Sequence, residues 1–96
     1  MKAYQTMYDV ELANRQAGQH FFDADTLRFF RSRIGTELYG GRYFVTSEQF
    51  NGDAKRLYTV REVMDGAKIK TIGEFQQYST GAAARRAAMK LAKEAV

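Results

Sequence analysis

Apolar side chains recur about every third or fourth residue in a helix and every second residue in a strand, and this chain switches between the two repeats. In HFFDADTLRFFRSRIG, Leu27, Phe30 and Ile34 share one helical face, which should be the buried one. Asp23 is placed to cap that helix, Asp25 falls in its first turn where the dipole favours an anion, and Gly35 follows as the stop. Phe22 and Leu27 then occupy the two positions of a hydrophobic staple. Upstream, DVELANRQA at 9–17 reads as a short helix capped by Asp9 and closed by Gly18, while the alternation of Tyr4, Thr6, Tyr8 and Val10 also suits a strand.

Past a bend at Gly40-Gly41 the pattern changes period. RYFVTSEQF is rich in aromatic and β-branched residues and predicts a strand, followed by a turn at Asn51-Gly52-Asp53. RLYTVREVM predicts a second strand and AKIKTIGEFQQY a third, joined as an antiparallel hairpin at Asp65-Gly66. On the third, Ile69, Thr71, Gly73 and Phe75 share one face, while Lys68, Lys70 and Glu74 share the other with Ile72. A helix over 81–95 closes the chain, with Ser79 or Thr80 as its cap. Ala84, Ala87, Ala88, Leu91 and Ala95 repeat along its packed face; Arg85, Arg86, Lys90 and Lys93 take the others. The expected architecture is one α+β domain over 1–96: a three-stranded antiparallel sheet with helices before and after it (α-β-β-β-α), both packed on one face.

Ninety-six residues suffice for one hydrophobic core, and seven Phe with six Tyr supply its bulk. The absence of Cys excludes disulfide frameworks, thiolate metal sites and cysteine nucleophiles, and suits a reducing cytoplasm. The N-terminal stretch has one early Lys and no apolar run of signal length, and no run of about 18 apolar residues occurs, so neither secretion nor membrane spanning is expected. His20 is the one histidine and has no ligand-like neighbour; Asp23 and Asp25 are explained by capping. No phosphate-cradling, dinucleotide or nucleophile-elbow motif occurs, so no enzyme activity, catalytic residue, metal or cofactor is expected.

Charge is distributed unevenly. Residues 1–50 hold six basic and six acidic side chains, and residues 51–96 hold nine and five, so the whole net charge of +4 lies in the second half. Such a bias suits a polyanion or an acidic protein surface. Arg85 and Arg86 sit in the N-terminal half of the last helix, where the dipole disfavours cations and an external anion would stabilise them. Adjacent pairs such as Phe29-Phe30 cannot both point inward, which leaves one ring beside Arg28 and Arg31 as a stacking or interface spot.

The helix, three strands, helix order and the tail ARRAAMKLA (Ala84 to Ala92) resemble the double-stranded RNA-binding domain. That resemblance implies packing by Ala87, Ala88 and Leu91 and a phosphate contact by Arg85; Gly81 and Ala82 stand where that family has its lysine pair, and SEQFNGDAKR lacks its Gly-Pro-x-His signature. From Arg56 onward the strands, hairpin and helix also resemble the three-stranded N-terminal DNA-binding domains of integrases, which implies Arg56, Tyr58, Arg61, Lys68 and Lys70 near DNA. Over its whole length, through HFFDADTLRFF, LYGGRYFVTSEQF, RLYTVR and TIGEFQQYST, the chain is similar to short, functionally unassigned phage and mobile-element proteins. The expected function is a non-enzymatic accessory protein of a phage or mobile element that binds DNA or RNA through Arg56, Arg61, Lys68, Lys70, Arg85, Arg86 and Lys90. The alternative is an inhibitor of a host defence complex of the anti-CRISPR or anti-restriction type, acting by protein contacts of the same half.

Overall fold

The computed structural model describes residues 3–95. Met1, Lys2 and Val96 lie outside them, and so does the early cation that Lys2 contributes to the N-terminal stretch.

Helix α1 (Met7–Gln16) starts two residues before the predicted 9–17. Its cap is Thr6, whose hydroxyl accepts from the Asp9 amide while the Asp9 carboxylate accepts from the Thr6 amide, each at 3.2 Å. This reciprocal box favours the helix over the strand and makes Asp9 its third residue. Gly18, at φ +77°, closes it as expected: the amides of Gly18 and Gln19 turn back to the carbonyls of Arg15 and Asn14.

The second helix departs from the pattern. α2 is Ala24–Phe29 and does not reach Gly35. It stops because Arg31 adopts φ +50°, with the Ser32 amide on the Leu27 carbonyl at 2.8 Å and the Arg31 amide on that of Arg28 at 3.2 Å. The closure is the one seen at Gly18, with an arginine in the glycine position. Released from the helix, Arg33–Ile34 become strand β1. Gly35 serves that strand: its amide donates to Val45 O at 2.8 Å, and a Cβ would stand 2.7 Å from the same oxygen. Asp23 holds the N-cap position, yet its carboxylate makes no capping bond and meets Nδ1 of His20 at 2.8 Å. On the face predicted to be buried, Leu27 and Ile34 are half-covered and Phe30 is 44% exposed.

Strands β2 (Tyr43–Glu48), β3 (Leu57–Val63) and β4 (Ile69–Ile72) complete a four-stranded antiparallel sheet in the order β1-β2-β3-β4. The prediction of three strands is corrected by β1. The Asn51 turn forms as expected, its Oδ1 accepting the amides of Asp53 and Ala54 at 2.9 Å. Asp65–Ala67 make a 3₁₀ turn that joins β3 to β4. The third predicted strand runs only to Ile72, because Gly73 and Gln76 take φ +72° and +59°. The chain bulges away and returns at Tyr78, which bridges to Tyr58.

Helix α3 (Gly81–Glu94) is capped by Thr80, whose hydroxyl accepts the Ala83 amide at 3.2 Å. Because strand side chains alternate, the sheet has two different faces. Tyr43, Val45 and Val60 lie under Ala84 and Ala88, while Phe44 and Val63 meet Met7, Val10 and Phe22. The helices therefore cover opposite faces, which corrects the expectation that both pack on one. Ile69 accordingly joins the α1 cluster, and Leu91 and Ile72 the α3 cluster. Asn14 ties α1 to the β3–β4 turn by donating to Ala67 O at 2.8 Å.

Candidate functional site

The sheet disperses the seven cations expected to act together. Arg61 points to the face opposite α3 and is 9% exposed. Its Nε donates to Thr46 at 3.0 Å, Nη1 to Thr71 at 2.6 Å and Nη2 to Glu48 at 3.1 Å, and its Cζ stands over the rings of Phe21 and Phe75, 5.2 and 5.5 Å from their centroids. Glu48, 1% exposed, also accepts from Thr59 at 2.8 Å. Arg61 is thus part of a buried charge layer and cannot reach a phosphate backbone.

Arg56 is also engaged within the fold. It donates to Arg31 O at 2.9 Å, to Ser47 O and Oγ at 3.1 and 3.0 Å, and to Gln49 Oε1 at 3.1 Å. Burial, with Arg33 nearby, pushes its guanidinium below its usual range. It clamps the end of the β2–β3 hairpin. Lys68 and Lys70 are exposed, but they stand just before and within β4, at the edge farthest from β1 in the strand order, and line neither cleft beside α3.

Arg85, Arg86 and Lys90 remain, and the helix adds Lys93. With alanines inward at 84 and 88, helical spacing carries Arg85, Met89, Lys93, Arg86 and Lys90 round the outer side as one stripe, and all five are exposed. A cleft on each part of the stripe widens it. One, of about 300 Å³, runs between β1, β2 and α3, with Arg33, Arg85, Tyr39 and Tyr58 on its walls. The other, of about 790 Å³, is lined by Leu38, Gly40, Arg86, Met89, Lys90 and Lys93. Gly40 lets its segment approach α3 closely: a Cβ there would stand 2.8 Å from the Ala92 Cβ.

Electrostatically, this surface is open to an anion. Arg15, Arg28, Arg42 and Arg61 are held by Glu11, Asp25, Glu62 and Glu48, whereas among the described residues Arg33, Arg85, Arg86, Lys90 and Lys93 form no salt bridge. Among the described residues Glu37 is the one carboxylate lining either cleft. Burial pushes the Tyr39 phenol up, Glu37 adds to the shift and Arg85 opposes it. The first turn of α3 holds no acid. Lys93 was legible from its spacing to Arg86 and Lys90; Arg33 was hidden because the pattern placed it in a helix.

The opposite face carries an aromatic patch. Phe29 is 80% exposed, Phe30 44% and Phe75 47%, and their rings form a ladder with centroids 4.9 and 6.1 Å apart. Both members of the Phe29-Phe30 pair are therefore exposed, where one was expected. Among the described residues no group of three or more His, Asp or Glu side chains is placed to hold a metal ion, and no helix is long and apolar enough to cross a membrane.

Residues 6–89 match the model of a family described as a family of unknown function (DUF7447), and the chain belongs to that family. No curated protein and no solved structure matches the chain.

Proposed function

We propose that this DUF7447 chain is an accessory protein that binds nucleic acid through the outer side of α3 and its two flanking clefts. The observation that carries the reading is five exposed cations, Arg33, Arg85, Arg86, Lys90 and Lys93, on the outer side of α3 and its clefts, none of which forms a salt bridge among the described residues. Such cations gain from phosphates mainly by releasing condensed counter-ions, so binding is sensitive to salt and tolerant of sequence. Tyr39 and Tyr58 add ring faces on the wall of the smaller cleft.

Titration of labelled duplex DNA and RNA against salt tests this. Affinity is expected to fall linearly on a log-log plot, and Arg85→Gln with Arg86→Gln should lower the slope by about two, roughly 0.9 for each B-DNA phosphate that is no longer neutralised. Arg56→Gln and Lys68→Gln should leave the slope unchanged. Absence of salt-dependent binding to either nucleic acid at low ionic strength would refute the reading.

A protein partner, as in an inhibitor of a host defence complex, is the second reading, favoured by the ladder of Phe29, Phe30 and Phe75. A nuclease-resistant complex abolished by Phe29→Ser and unaffected by the α3 substitutions would support it.

A further inference from the structure

Beneath α2, on the sheet face that α3 does not cover, lies a cavity of about 300 Å³. Phe21, Leu27, Phe30 and Phe75 form apolar walls, Ser32 contributes a hydroxyl, and among the described residues Arg61 is the one charged group that lines it. The volume is at the lower end of small-molecule sites, roughly 300–1,000 Å³.

The charge layer behind the cavity defines what would fit. A guanidinium has five N–H groups, and three of those on Arg61 are engaged by Thr46, Thr71 and Glu48. The other two leave donor capacity on a group that borders the cavity. Its positive charge, however, is already matched by the buried Glu48. A charged ligand of either sign entering here would lose its hydration without finding a free counter-charge. A neutral acceptor such as an amide or lactam carbonyl avoids that cost. The rings of Phe21, Phe30 and Phe75 on its walls suit a flat aromatic body.

We propose that this cavity binds a small, neutral, planar molecule that presents a carbonyl to the free N–H groups of Arg61. The site is independent of the α3 surface and stands whether or not nucleic acid binds there.

Amide and arginine-side-chain NMR of the full chain, titrated separately with benzamide, benzoate and toluene, tests the proposal. Benzamide is expected to give saturable shifts at the Arg61 Nη–H groups, Leu27 and Phe75, and to bind at least about tenfold tighter than the other two, the worth of one good hydrogen bond. Leu27→Trp should fill the cavity and abolish the shifts. If that variant fails to fold, Phe30→Ala opens one wall from an exposed position and should weaken benzamide severalfold with the remaining spectrum preserved. Benzoate binding as well as benzamide, toluene matching both, shifts that never saturate, or a folded Phe30→Ala that binds unchanged would each overturn the assignment.

Discussion

Arg61→Ala would leave Glu48, 1% exposed, without the guanidinium that neutralises it. Breaking one side of a buried pair typically costs about 3–5 kcal/mol, so the urea midpoint should fall by that equivalent, whereas Arg61→Leu with Glu48→Leu should recover much of it. Nothing in RLYTVREVM distinguishes this arginine from a solvent-facing one. Its burial follows from alternation along β3: Arg61 shares the inward face with Thr59 and Val63, and the Thr and Glu that receive it come from β2. Cross-strand register is what a single sequence does not state. Arg31 was hidden for a different reason, since a left-handed stop at a non-glycine residue carries no residue-type signal.

At the level of elements, β2, β3, the hairpin between β3 and β4, and α3 were legible because period and boundary residues agree there. The period of α3 identifies both of its sides, so its basic stripe could also be read. Ala88, fully buried against Tyr43, Val45 and Val60, tests that assignment. Ala88→Asp should cost more than about 3 kcal/mol, visible as loss of the cooperative thermal transition, because it places an unpaired charge where a methyl now packs. The side of the sheet covered by each helix was not legible. Ile69 and Ile72 stand three apart on β4 and so face opposite ways, one toward α1 and one toward α3, and either could have been taken as the core side.

The whole molecule measures 39 × 29 × 19 Å, with a basic side over α3 and an aromatic side beyond the sheet. Two tyrosines couple its stability to alkali. Burial and nearby Glu37 raise Tyr39, and burial and Glu62 raise Tyr43, above the ordinary value of 10.0. The unfolded chain then loses these protons first. Their contribution is complete below about pH 10 and disappears as pH rises through the folded-state values. The melting temperature should therefore decline above about pH 10, and Tyr39→Phe with Tyr43→Phe should flatten that limb. The outer margin of β4 has a further consequence. Among the described residues its backbone faces no neighbouring strand on that side, and an open margin of this kind invites the same margin of another copy. Lys68 and Lys70, unsuited by position to the cleft surface, put two like charges on that margin over a strand of only four residues. Two copies meeting there would bring four ammonium groups together, so Lys68→Thr with Lys70→Thr should promote self-association, read by light scattering against the unaltered chain.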